Sequence, residues 1–595
     1  MILEASRMHF RSNRLLTLFA VAFWLSACTP EDAPTTSKGA AASGEAMATA
    51  ADPRAVEAAL RILNQGGNAL DAAIAAELVL GLVEPQSSGI GGGGFLLFYD
   101  ETSREISGYD GRERAPAGAK PDMFLLPNGE PMDFYDAQAS GRSIGVPLLV
   151  PMLKLAHEEH GRLPWPALFD PAIQLAEDGF AISPMLARYL ELPEGEMRMR
   201  DDPEARLYFF DEAGAPWPAG HVLRNPEYAK TLRAIAAEGP RALSEGPIAS
   251  AIVQAAQRAP RAGTLSAEDL RNGEPLEFQP LCMPYRTYQV CTAAPPSSAN
   301  AMLAILGLYE RARPDPAGVA SADDWAAFLW ASRLAYVDRD HYMADPEFTP
   351  LPTRELFAPA YLDERATQIV PARAPEKVAP GIPAGRPLLE RWGSAYSEDS
   401  GTTHLSIVDQ WGNAVSLTAT IESLFGAQRM AGGFLLNNEL TDFSFIPVIT
   451  GRPVANAVAP GKRPRSSMSP TIVTDRRGEL VLVIGSPGGS GIIGYVARAT
   501  IGILDWGLGV QEALSLGNAI ARFEAVEAEP DRWPDGLEQS LSERGWRLEP
   551  AAGQSGLHAI RVSPGGLEGG ADPRGEGSVG RTRATTGREH EDGGR

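Results

Sequence analysis

The chain has 595 residues, 44% of them hydrophobic, with 75 acidic and 53 basic side chains and a formal net charge of −22. That length supports a sizeable core, and the absence of a Pro/Ser/Gly linker in the middle makes it one large α/β body rather than a string of domains. The acidic balance excludes nucleic acid and an anionic membrane surface as partners, because both are held by clustered Lys and Arg.

In chain order, an export signal comes first. Arg7, Arg11 and Arg14 precede an apolar run over residues 15–25, and Leu25-Ser26-Ala27-Cys28 has the form of a lipobox. The run is short for a span of about 20 residues. Attachment to a membrane is therefore expected only through acylation of Cys28 after removal of residues 1–27, which places the protein in the periplasm; an incidental cysteine is the plainer alternative. Residues 28–50 are mostly Ala, Ser, Thr, Pro and Gly, cannot bury enough surface to fold, and read as a disordered tether.

Asp52 and Pro53 open a helix carrying Ala55, Ala58, Ala59, Ile62 and Leu63, and Gly66-Gly67 stops it. Asn68 caps a second helix over 69–83 that Glu84-Pro85 ends. The run from Gly89 to Gly94 matches GxGxxG, but it leaves a helix and enters a strand at 95–99. A dinucleotide fingerprint needs the reverse order, so these glycines are read as permitting tight packing. Three-to-four spacing predicts helices over 167–179, 228–238, 248–258 and 299–312. Cys282 and Cys291 close a short loop and suggest a disulfide in an exported protein, with two buried thiols as the alternative. Strands are expected over 402–409, 414–420, 433–436, 471–474 and 479–485, with Gln410-Trp411-Gly412-Asn413 as a hairpin turn, and helices over 494–504 and 510–516. Residues 565–595 are rich in Gly, Arg and Glu, and 582–595 read as a disordered tail. Periodicity alone supports an antiparallel-rich α/β protein.

The chemistry gathers late in the chain. Asp399-Ser400-Gly401-Thr402-Thr403-His404 is followed by Thr420 and Glu422, then Asn437-Asn438-Glu439-Leu440-Thr441-Asp442, Arg465-Ser466-Ser467-Met468-Ser469-Pro470 and Ser486-Pro487-Gly488-Gly489-Ser490. Together with Gly66 to Ala73, Ser88 to Phe95 and Arg112-Glu113-Arg114-Ala115-Pro116, this series closely resembles the γ-glutamyltransferase family over roughly residues 50–581. The resemblance implies a four-layer αββα sandwich of the N-terminal-nucleophile hydrolase type, made of a large subunit (51–401) and a small catalytic subunit (402–581) cut from one precursor. It also implies cleavage of γ-glutamyl compounds such as glutathione, with transfer of the acyl group to water or to an amino acid or peptide amine.

A threonine hydroxyl needs a base within reach, and an N-terminal threonine carries its own in an α-amine with an ordinary pKa near 8. Standing alone, Thr402 would be an ordinary strand threonine; by resemblance it is the nucleophile exposed by cleavage after Gly401, a residue that offers little obstruction to the attack. On the same basis Thr420 orients the nucleophile, and Gly488 and Gly489 supply backbone N–H groups to an oxyanion. Arg112 grips the substrate α-carboxylate, with Arg114 as a possible substitute; Ser466 and Ser467 bind the same carboxylate, and Asp442 pairs with the α-ammonium. Glu422 and Glu439 stand where well-known members carry amides. If all three acids point inward, the site favours a cationic ammonium and disfavours a bare glutaryl group. Residues 445–454 are shorter than the lid of several relatives and lack a tyrosine, which predicts a more open site. His404 is assigned a structural role, since it follows the nucleophile on one strand without standing opposite it.

No GxSxG elbow or HExxH pair occurs, and no metal or organic cofactor is implied. The rival readings are a glutaryl or cephalosporin-type acylase of the same family and a non-catalytic surface lipoprotein that keeps the fold for binding.

Overall fold

The computed structural model describes residues 44–193, 197–384, 401–522, 524–551, 553 and 555–582. The expectations for Cys28, for the signal and most of the tether, and for residues 583–595 lie outside these residues.

Two antiparallel sheets face each other. The first has seven strands in the order Ser578–Arg581, Met47–Ala50, Gly401–Val408, Ala414–Glu422, Gly93–Asp100, Glu105–Asp110 and Leu276–Phe278. The second has six, in the order Gly566–Ala571, His558–Ser563, Leu480–Gly485, Thr471–Asp475, Tyr288–Thr292 and Leu281–Tyr285. Met47, Leu97, Tyr99, Val408, Ile472, Val483 and Ile560 fill part of the space between them.

Helices cover both outer faces. Pro53–Asn64 and Ala69–Val83 pack on the first sheet, while Asn300–Ala312, Ile492–Leu504 and Val510–Ser515 pack on the second. The first helix starts as its sequence dictates, with Asp52 accepting from the Arg54 N–H and Pro53 at the first helical position. The second is closed by a reciprocal box between Asn68 and Asp71, and its small side chains let it lie close to the strand carrying Thr402. This is the αββα architecture that the motifs implied.

The ordered body begins earlier than the composition suggested. Met47–Ala50 falls inside the stretch expected as a tether, yet it is buried and pairs on both sides, with Gly401–Val408 and with Ser578–Arg581. A segment with little apolar surface of its own is ordered here because its neighbours supply two ladders of hydrogen bonds. Two further strands, Gly566–Ala571 and Ser578–Arg581, lie within the glycine-rich stretch and inside the bound of 581 expected for the small subunit. Glycine at 580 has a packing reason, since a Cβ there would stand 2.6 Å from Val56 Cγ1 and 2.7 Å from Leu60 Cδ1.

Cys282 and Cys291 face each other on the hairpin Leu281–Tyr285/Tyr288–Thr292 and form a disulfide. The longest helix among the described residues, Ala322–Tyr342, is missing from the sequence expectations. It is buried nearly all round, so it shows no amphipathic stripe.

Candidate active site

Strand pairing puts the two key threonines opposite each other. In the ladder between Gly401–Val408 and Ala414–Glu422, Thr402 stands opposite Thr420, His404 opposite Thr418 and Ser406 opposite Ser416. All six share one face of the sheet by alternation. Thr402 Oγ lies 3.1 Å from Thr420 Oγ. The Thr420 hydroxyl donates to the Gly401 carbonyl oxygen at 2.8 Å and accepts the Glu422 N–H at 2.8 Å. A hydroxyl has one proton to give. With that proton on Gly401, the contact between the two threonines is donated by Thr402. The Thr402 hydroxyl proton thus points at Thr420, while the Thr420 proton lies on the carbonyl oxygen of the Gly401–Thr402 bond.

Gly401 is required by space. A Cβ at this position would lie 2.5 Å from the Ser423 carbonyl oxygen and 2.6 Å from that of Gln86. The glycine run at 89–94 serves the same end, since Gly92 packs against the Thr420 carbonyl too closely for any side chain.

Past Thr420 the ladder shifts register, and Glu422 takes φ 81°. A left-handed conformation in a residue with a Cβ costs about 1–2 kcal/mol. It brings the Glu422 carboxylate to the pocket wall, where it accepts from Ser423 and, at 2.6 Å, from Asn438 Nδ2. The short 3-10 turn Glu439–Asp442 contributes the other two acids. Both are bonded to Arg112, Asp442 at 2.5 Å, and the same guanidinium donates to the carbonyls of Pro464 (3.1 Å) and Arg465 (2.8 Å). Glu422, Glu439 and Asp442 all line one pocket with Thr402 and Thr420, the condition on which the sequence argument about three acids depended. Beside them Glu113 is fully buried, and burial pushes its carboxyl up to about 8 against the opposing pull of Arg112.

Ser466 and Ser467 also line the pocket. Ser466 Oγ accepts the Met468 N–H at 3.2 Å, and Ser467 Oγ accepts from Arg339 at 2.5 Å. Gly488 and Gly489 take φ 127° and 52°, a turn that suits glycine, and Gly489 reaches the pocket wall. Arg114 is a correction. It does not line the pocket but pairs with Glu347 at 3.2 Å, because the backbone of Ala115 is tied to Lys462 and Gly461 and directs the preceding side chain away. Arg114 therefore cannot stand in for Arg112.

Residues 445–454 form a small hairpin, Val448–Ile449 with Arg452–Pro453, and none of them lines the pocket. His404 bonds Thr418 at 2.8 Å and Ser406 at 3.0 Å. Burial, then the neighbouring His558, holds its pKa well below the usual range. It is a neutral, committed ring in the space between the sheets and offers Thr402 no proton acceptor.

Comparison with known proteins is consistent with this geometry. The family model described as gamma-glutamyltranspeptidase matches residues 55–582. The chain belongs to the γ-glutamyltranspeptidase family. It is 36% identical to the glutathione hydrolase proenzyme of Bacillus subtilis strain 168 over 79% of each chain, and 35% identical to that of Escherichia coli K12 over 89% of this chain and 90% of that one. Among solved structures, the cephalosporin acylase from Bacillus halodurans superposes with a TM-score of 0.78 at 26% identity, over 93% of this chain and 98% of the other.

Within this γ-glutamyltranspeptidase pocket stand residues that the motifs did not single out: Arg339, Arg465, Ser490 and Arg522. Arg339 lies on the buried helix Ala322–Tyr342. A signal was available, since Asp338-Arg339-Asp340 places three charges in a run otherwise rich in Ala, Leu, Trp and Tyr. Arg465 stood in plain view beside the serine pair.

Proposed function

We propose that this protein is a self-processing γ-glutamyltransferase and glutathione hydrolase in which Thr402 is the nucleophile of both reactions. The relay from Thr402 to Thr420 to the Gly401 carbonyl carries the reading. In the precursor, the Thr402 hydroxyl attacks the carbonyl carbon of Gly401 while Thr420 steadies the charge growing on its oxygen. The acyl group shifts from nitrogen to oxygen, and water resolves the ester to leave Gly401 as a carboxylate and Thr402 with a free α-amine. That amine then takes the hydroxyl proton when Thr402 attacks a γ-glutamyl amide. Gly488 and Gly489 face the resulting oxyanion, where each well-placed donor contributes roughly 3 kcal/mol. The leaving amine departs protonated, and water or another amine releases the γ-glutamyl group from Thr402.

The acids explain the choice of donor. Glu422, Glu439 and Asp442, offset in part by Arg112, favour a substrate bearing an ammonium, and a glutaryl chain lacks one. The likeness to a cephalosporin acylase supports a second reading as an acylase, which the same assay separates. We also propose export and anchoring through acylated Cys28, supported by the charge and hydropathy of residues 7–28; incorporation of labelled fatty acid by a Cys28→Ala protein would refute it.

The test is the intact mass of the purified protein beside a Thr402→Ala variant, followed by γ-glutamyl and glutaryl anilide assays. The expected result is two fragments meeting at Gly401 and Thr402 in the wild type, one chain in the variant, and a preference for the γ-glutamyl anilide. A folded wild type that stays uncut overturns the enzyme reading, and a preference for the glutaryl anilide makes the protein an acylase.

A further inference from the structure

The pocket carries more charge than the γ-glutamyl group itself accounts for. The ammonium and carboxylate of that group are matched by Glu422, Glu439, Asp442, Arg112 and the serine pair. Elsewhere on the same pocket stand Arg339, Arg465 and Arg522, each less than a tenth exposed. These three guanidiniums gather on a single carboxylate, Asp340. Arg339 bonds it at 2.7 Å, Arg465 approaches to 3.5 Å and Arg522 to 4.0 Å.

Arg339 and Arg465 leave part of their hydrogen bonding open. Arg339 Nε is buried without a hydrogen-bond partner among the described residues, and Arg465 Nη1 has no hydrogen bond beyond its 3.5 Å approach to Asp340. A buried cation is stable only when both its charge and its hydrogen-bond donors are met. Burial and the neighbouring Arg339 bring Arg465 down to about 9, which leaves it cationic at neutral pH.

Position in the pocket decides what these cations can meet. Arg339 holds Ser467, and Arg522 holds the side chain of Ser490, the residue that follows the glycine turn. The acyl chain of a γ-glutamyl donor runs from Thr402 toward the acids. Gly489, Ser490, Ile492 and the three arginines line the same pocket, and the group bonded to the other side of the reacting carbonyl is the part of the substrate whose charge no residue assigned so far meets. Resting on the γ-glutamyl reading above, we propose that Arg339, Arg465 and Arg522 form a carboxylate-binding subsite for the leaving group and the acceptor. The substrates it selects are γ-glutamyl peptides whose leaving portion ends in a free carboxylate, and acceptors that carry one.

The experiment compares three donors on the processed enzyme: glutathione, glutathione with its glycine carboxylate converted to the carboxamide, and an uncharged γ-glutamyl anilide. The wild type is expected to show kcat/KM at least tenfold higher for the acid than for the amide, carried mainly by KM. In Arg465→Met and Arg522→Gln that ratio falls toward one, and the anilide loses less than the acid does. An acid-to-amide ratio near one in the wild type overturns the subsite without any variant. So does a ratio that survives both substitutions, or an equal loss on all three donors, which marks a structural cluster. Failure of the wild type to cleave the anilide overturns the γ-glutamyl reading and the subsite with it, whereas anilide turnover with a ratio of one overturns the subsite alone.

Discussion

Thr420 makes three hydrogen bonds with one hydroxyl, and each asks something different of it. The contact with Thr402 requires an acceptor, the contact with Gly401 requires a donor, and the Glu422 N–H fixes the rotamer that lets both occur. Thr420→Val keeps the shape and the β-branched fit to the strand but removes all three. It is expected to slow self-cleavage and, in whatever fraction is processed, to lower kcat about a hundredfold, the scale on which losing one preorganised donor is felt. Thr420→Ser retains the hydroxyl and should recover most of the rate. A time course of intact mass with an anilide assay checks both, and a Val variant that processes at the wild-type rate would remove Thr420 from the relay. Gly401→Ala asks a steric question at the same bond. With two carbonyl oxygens within 2.6 Å of the added methyl, the backbone must shift, so the expected outcome is a folded precursor that remains one chain.

At the scale of elements, the strand Met47–Ala50 is the informative case. It pairs Met47 with Val408, Ala48 with Ile407 and Thr49 with Ser406, so it borders the strand that carries Thr402. A chain starting at Gly44 should fold and process normally. A chain starting at Asp52 loses the buried Met47 side chain, worth about 1.5–3 kcal/mol, together with the ladder on both flanks. Its melting temperature should fall by several degrees and its processing should slow; equal melting of the two truncations would show the strand to be dispensable.

This strand also marks where sequence reading stops. Caps, glycine stops and alternation were legible for the first two helices and for the Thr402 hairpin, because local chemistry decides them. Met47–Ala50 was not, since its order comes from partners more than 350 residues away along the chain. The helix Ala322–Tyr342 was hidden for the opposite reason, having no polar face to set a period. The site divides in the same way. Motif order gave Thr402, Thr420, the acids and the serine pair, while the three arginines come from three separate segments that only the fold brings together.

The whole molecule carries a pH dependence that follows from how it buries charge. Glu77, Glu84 and Glu113 are fully buried, and burial lifts each carboxyl from 4.5 to about 8. These folded-state values exceed the unfolded ones, so the native state holds protons that the unfolded chain releases. Their contribution is fully present below pH 4.5 and is lost as pH rises toward 8, because the unfolded state gains by ionising while the native state cannot. On the acid side, burial depresses His558 to about 4 and drives His404 down as well. Unfolding lets these rings take up protons, so stability drops as pH falls from 6.5 toward 4. Between pH 4.5 and 6.5 the two trends oppose each other, and from pH 6.5 to 8 only the loss from the carboxyls remains. Glu77 lies on the helix Ala69–Val83, away from the residues that line the pocket, which makes it the group to substitute. Glu77→Gln keeps the volume and cannot ionise. Its melting temperature relative to wild type should therefore climb steadily from pH 4.5 to pH 8, by a few degrees in total, and then level off. Calorimetric scans of both proteins across that range decide the matter: parallel curves would mean that Glu77 is already ionised in the folded protein at neutral pH, and that the buried acid is paired rather than protonated.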